Sequence, residues 1–152
     1  MKSIDNQGKD MASNAQMIQH HLKVHGMTLI LGLIVEYLLG MFSNLYVQFP
    51  ETNNAGQLWQ FAWTQVSVAS HILLGLLLLL GILFLLVRAW LYKDRNWMVA
   101  AVIGLVGILA AGYCGASFIQ TQNDSFSLLM SIAFIVALLA LVWGFHASKE
   151  QS

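Results

Sequence analysis

The chain has 152 residues, 58% of them hydrophobic and only 9% charged, and its seven Lys and Arg balance seven Asp and Glu. That composition excludes an ordinary soluble domain, and zero formal charge with thinly spread basic residues gives nucleic-acid binding no support. A single cysteine, Cys114, excludes an intramolecular disulfide or a CxxC motif, and with them thiol–disulfide exchange.

Residues 1–25 are polar, and the spacing of Ala15, Ile18 and Leu22 predicts a short interfacial helix bearing His20, His21 and Lys23. A secretory signal would place its apolar stretch nearer the start and end it at a small-residue cleavage site, so the first span is expected to stay as an anchor. Four apolar stretches follow, at residues 27–47, 66–87, 98–119 and 126–145. At ~1.5 Å rise per residue each is long enough for a hydrocarbon core of ~30 Å. Short polar connections make neighbouring helices antiparallel and adjacent. The expected fold is all-α, an integral-membrane up-and-down four-helix bundle over residues 26–147, followed by a tail at 148–152.

Lys2, Lys9 and Lys23 precede the first span, Arg88, Lys93 and Arg95 separate the second and third, and Lys149 follows the fourth. The segments 48–65 and 120–125 carry no basic residue. The positive-inside rule therefore places both termini and the middle loop in the cytoplasm and the other two loops outside. Trp59, Trp63, Trp90, Tyr92, Trp97 and Trp143 fall near the span ends, where amphipathic rings favour the headgroup level.

The polar residues within the spans carry the functional reading, because unsatisfied polar groups are costly in hydrocarbon. Residues 72–87 of span two contain nothing polar, whereas its outward half carries Gln65, Ser67, Ser70 and His71. Ser43, Asn44 and Tyr46 on span one, Tyr113, Cys114, Ser117 and Gln120 on span three, and Ser125, Ser127, Met130 and Ser131 on span four lie at the same level. This layering predicts a polar pocket in the outer half of the bundle, although helix packing alone would account for most of the serines.

His71 is the one histidine well inside the membrane; its imidazole can ligate haem iron or another metal, relay a proton, or pin two helices with a hydrogen bond. His25 and His146 fall at the cytoplasmic boundary and read as solvated interfacial residues. Glu36 is the sharpest anomaly. A carboxyl near mid-span is expected to face the bundle interior and either pair or remain protonated, with His71 or Tyr113 as partner. On span three, Ala100, Gly104, Gly107, Ala111 and Gly115 form a small-residue ridge that admits a helix or a flat cofactor.

The stretch 70–75 (Ser-His-Ile-Leu-Leu-Gly), together with residues 115–118 and 121–130, resembles a group of uncharacterised small bacterial four-span membrane proteins, over most of the chain from Gly26. That resemblance implies a bacterial cytoplasmic membrane protein and assigns no activity. The helix with an HxxxG pattern more loosely resembles membrane b-type cytochromes of the cytochrome b561 and haem A synthase classes, which implies haem b between helices. This chain lacks their second deep histidine, so Met130 is the candidate second axial ligand to a His71-bound iron. The candidate site is then His71 and Met130 for the cofactor, with Glu36, Asn44, Tyr113 and Ser117 lining a ligand or proton pocket.

Two other readings stand beside a cofactor-binding protein. One is a small proton-coupled transporter or substrate-binding subunit, with Glu36 as the coupling carboxylate. The other is an accessory subunit without chemistry, assembled with itself or with a membrane-complex partner. The nucleophile, base and oxyanion arrangements of a hydrolase are not visible, so enzymatic action is confined to a redox role if haem is bound. The lipid bilayer is the solvent in all three readings.

Overall fold

The computed structural model describes residues 2–52 and 54–148, with side chains from Gln16 onward. The tail predicted at 148–152 lies, beyond Ser148, outside the described residues, as does the charge of Lys149. Five helices make up the described chain: α1 Lys2–Tyr46, α2 Ala55–Thr64, α3 Val66–Leu91, α4 Arg95–Thr121 and α5 Asp124–Ala147. Four of them, α1 from Gln16, α3, α4 and α5, are long and apolar enough to cross a membrane. They form a ring in which α1 meets α3 and α5, and α4 meets α3 and α5.

Each long helix buries one narrow seam at alternating three- and four-residue spacing. On α1 the seam is Leu22, Gly26, Leu29, Leu33, Glu36, Gly40 and Ser43; on α3 it is Val68, His71, Gly75, Leu78, Ile82, Leu85 and Ala89. Trp97, Ala100, Gly104, Gly107 and Ala111 continue the pattern on α4, and Phe134, Ala137, Leu141 and Gly144 on α5, with Ser148 next in step at its C-cap. A repeat of 3.5 residues keeps the same stripe against the neighbour, the geometry of left-handed bundles. The faces turned outward are equally apolar: Leu31, Ile34, Val35, Leu38 and Phe42 on α1 are all exposed. A helix that is hydrophobic all round needs an apolar surround, which a bilayer supplies.

Glycines set the distance between helices. A Cβ at Gly107 would lie 2.9 Å from the carbonyl oxygen of Ala133 and 2.9 Å from Ala137 Cβ, so α4 and α5 meet backbone to backbone. Ile82 of α3 fills the notch at Gly104, where a Cβ would sit 2.6 Å from Ile82 Cδ1. Helix packing thus accounts for most of the small-residue ridge on α4. Gly112 differs, because a Cβ there meets nothing within 4 Å.

Three features depart from the sequence reading. The polar N-terminal segment and span one form one uninterrupted helix, and Leu22 is already core, because Gln19 Nε2 donates to Asp94 Oδ2 at 2.8 Å and ties α1 to the α3–α4 turn. Trp97 does not face outward as a headgroup-level ring would: its ring is fully buried and occupies the space left by Gly26 of α1 and Gly144 of α5. The connection at 48–65 holds α2, begun by Asn54, whose side chain accepts from the Gly56 and Gln57 amides. The α3–α4 turn is a Schellman closure, with the Asp94 amide donating to Ala89 O at 2.9 Å and Lys93 in the left-handed region at φ 57°.

Candidate functional site

A cavity of about 390 Å³ opens in the half of the bundle nearer α2, walled by α1, α3, α4 and α5 and capped by Val47, Phe49 and Trp59. It falls within the size range of small-molecule sites. The cap holds through Leu58 and Ala62 of α2, both buried against Val68 and Ile119, and through Phe49, which meets Phe61 at 5.4 Å and Phe118 at 6.1 Å between ring centroids.

Glu36 and His71 meet in its wall. Glu36 Oε1 lies 3.1 Å from His71 Nδ1, and the carboxyl is almost wholly removed from solvent while about a fifth of the imidazole is exposed. The two atoms are at ion-pair distance but off the line that a hydrogen bond requires, and His71 Nδ1, Glu36 Oε2 and Ser43 Oγ are all buried without a hydrogen-bond partner. Such groups cost roughly 1–3 kcal/mol each when left unmade, so three within one seam mark a place where something polar is missing.

Two glycines make the meeting possible, in a reciprocal arrangement. On α1 the carboxyl of Glu36 is followed one turn later by Gly40; on α3 the imidazole of His71 is followed one turn later by Gly75. Because the helices run antiparallel, Glu36 packs onto Gly75 and His71 onto Gly40: a Cβ at Gly75 would lie 2.9 Å from Glu36 Oε1, and one at Gly40 2.9 Å from His71 Cε1. Each polar side chain therefore occupies the notch opposite the other helix's glycine. The four positions belong to the 3–4 seams, so the polar pair sits in the same register as the leucines above and below it.

The remaining predicted residues divide. Met130 lines the cavity from α5, its Sδ 3.1 Å from where a Cβ on Gly115 would be. Asn44 stands at the exposed edge of the cavity and accepts from Ser127 Oγ at 3.4 Å. Tyr113 borders the cavity but is 71% exposed, and it makes no hydrogen bond with Glu36, whose close partner is His71. Ser117 lies a turn further along α4, outside the cavity wall, its carbonyl accepting from Thr121 Oγ1 at 2.8 Å. Ser43, placed by the sequence at the level of the outer polar pocket, does line the cavity, and so do Gly40 and Phe134, which the sequence did not single out. The spacing of Glu36, Gly40 and Ser43 at four and three residues was the available signal, since it continues the leucine seam.

Among the described residues no group of three or more His, Cys, Asp or Glu side chains is placed to hold a metal ion. No protein-family profile, curated protein or solved structure matches this chain.

Proposed function

We propose that the protein is a multi-pass membrane protein that binds a small, largely apolar ligand in this cavity, with the Glu36–His71 pair as its polar anchor. The observation that carries the proposal is the unpartnered Oε2 of Glu36, on a side chain only 3% exposed, in the wall of a cavity otherwise lined mainly by Leu, Ile, Val and aromatic residues. A polar group of this kind is retained in a bilayer where it pairs or serves a ligand. Basic residues confined to the termini and the α3–α4 turn support the orientation with both termini in the cytoplasm, the cavity lying in the outer half of a bacterial cytoplasmic membrane.

Haem is the second reading, favoured by one observation: His71 of α3 and Met130 of α5 line the same cavity. A carboxylate behind one ring nitrogen is the usual partner of a ligating imidazole, and Glu36 occupies that place. Bound haem would supply one-electron redox chemistry. The walls contain no Lys or Arg to meet propionates, which favours a ligand without acidic groups.

Native mass spectrometry of protein released from its own membranes tests the main proposal. A retained small molecule is expected on the wild type and not on the Glu36→Leu/His71→Leu double variant; equal retention by both would refute it. An optical spectrum with and without dithionite, after expression with haem supplied, tests the second, and a missing Soret band removes it. If Glu36→Ala and His71→Ala lower stability yet change no ligand-dependent property, the accessory-subunit reading takes their place.

A further inference from the structure

The cavity's two ends are unlike. Toward α2 it is capped by Val47, Phe49 and Trp59, which pack on the cluster of Leu58, Ala62, Val68 and Ile119, Phe49 being held as well by its ring contacts with Phe61 and Phe118. Its side wall is thin. Between α3 and α4 the cavity is bordered by Leu76, Leu109, Gly112 and Tyr113, and the three side chains are 52%, 53% and 71% exposed. Gly112 stands among them with open space where a Cβ would be. Higher up the same interface Ile82 fills the notch of Gly104; at Gly112 no side chain does.

The depth of this gap says what lies outside it. Gly112 is nine residues from the end of α4 at Thr121, and Leu76 ten from the start of α3 at Val66. At helical rise these correspond to ~13 Å and ~15 Å, near the middle of a ~30 Å hydrocarbon layer. Glu36, ten residues from the end of α1 at Tyr46, lies at the same level. An opening at that depth faces acyl chains, and anything passing through it is already dissolved in the membrane.

The chemistry of the interior narrows the class. Glu36 Oε2 and Ser43 Oγ are acceptors without donors, and Glu36 is 3% exposed. Aromatic rings of Phe49, Trp59 and Phe134 line the same cavity, offering edge and face contacts to a planar head. No Lys or Arg lines the walls, so an anionic head would go uncompensated.

We propose that this cavity is filled from within the bilayer, through the lateral opening at Gly112, by a lipophile whose phenolic head donates a hydrogen bond to Glu36. The proposal rests on the ligand-binding reading and adds to it the route and the head group.

The test uses the full chain in phosphatidylcholine nanodiscs and tritiated para-decylphenol, counting the fraction displaced by excess unlabelled compound. The wild type is expected to prefer the phenol over its methyl ether, para-decylanisole, by about tenfold, the discrimination one hydrogen bond to a buried acceptor gives, and Glu36→Leu to lose that preference. Gly112→Phe, whose added ring enters open space, is expected to slow both association and dissociation by about tenfold while leaving Kd within about threefold, as a blocked route does. Leu109→Trp at the same opening should act alike. Val106→Phe, which adds bulk to the exposed face of α4 away from the cavity, should change neither rate.

Unchanged rates in both Gly112→Phe and Leu109→Trp would overturn lateral entry while leaving the ligand site standing. Equal binding of phenol and anisole, or tighter binding of decyltrimethylammonium than of the phenol, would overturn the head group. Absence of displaceable phenol binding on a wild type that still retains its own small molecule would overturn this inference and spare the reading beneath it; absence of both would remove the two together.

Discussion

Glu36 and His71 are unequal partners, and their inequality can be measured. In His71→Leu the carboxyl of Glu36 keeps its 3% exposure and loses the group 3.1 Å from Oε1, so both oxygens are stranded. Breaking a buried pair from one side costs roughly 3–5 kcal/mol. The contact is not aligned for a hydrogen bond and the imidazole is about one-fifth exposed, so we expect a cost at or just below the bottom of that scale, about 2–3 kcal/mol. Glu36→Leu leaves a partly exposed imidazole that can turn toward the cavity, and should cost about 1 kcal/mol, the lower end for one unmade hydrogen bond. The double variant replaces both polar groups by apolar ones of similar size and should cost less than His71→Leu alone, about 0–1 kcal/mol. The coupling energy is then about 2–4 kcal/mol. Reversible unfolding of all four proteins in mixed micelles, titrated with dodecyl sulfate, reads it directly. If the double variant loses the sum of the single losses within about 0.5 kcal/mol, the side chains act independently and the pair is not a unit.

Three further outcomes follow from the packing. Gly107→Ala must push α4 from α5 because the obstructing atoms are backbone, and should lower stability by about 1–3 kcal/mol, whereas Gly112→Ala meets nothing and should be neutral or stabilising by up to about 1 kcal/mol; the same micelle titration separates them, and equal effects would refute the interhelix spacing. Lys93 holds φ 57°, so Lys93→Gly should raise stability by about 0.5–1 kcal/mol, and a loss would show that the turn is not the left-handed closure described. Asp94 is buried, caps α4 through the Trp97 amide at 3.0 Å and accepts from Gln19; Asp94→Ala should cost about 1–2 kcal/mol and Asp94→Asn much less, since an amide oxygen can still cap.

The four spans were legible because a run of about twenty apolar residues has few other uses, and the inward direction of Glu36 followed from the cost of a carboxyl in hydrocarbon. What composition hides is register. Gly40 and Gly75 look like ordinary small residues until the antiparallel alignment of α1 and α3 sets each against the other helix's polar side chain. Trp97 illustrates the converse: its position near a span end suggested an interfacial ring, but Gly26 and Gly144 leave a space that only a large side chain fills. Tyr113 had the right depth to meet Glu36 and the wrong face, since its neighbours on the buried seam are Ala111 and Gly115. Within the 48–65 connection, Asn54 followed by Leu58, Phe61 and Ala62 was a helix start that an interest in span boundaries passed over.

The arrangement of the polar centre also bears on the accessory-subunit reading. Helix-packing polar groups in a bilayer are useful because each finds a partner on the neighbouring helix, so a structure built only for assembly should leave its buried donors and acceptors matched. At the other end of the bundle the polar side chains are largely tied in: Asp94 takes the Gln19 amide and the Trp97 amide, and Asn96 donates to the carbonyl of Ala147, with Gln19 Oε1 and Trp97 Nε1 the two buried atoms there that make no hydrogen bond. At Glu36, Ser43 and His71 three unpartnered polar atoms lie on the facing seams of α1 and α3, although two glycines bring the carboxyl and the imidazole together. Close approach without satisfaction is a poor way to hold helices, and it is how a site looks when its third partner is a molecule that comes and goes.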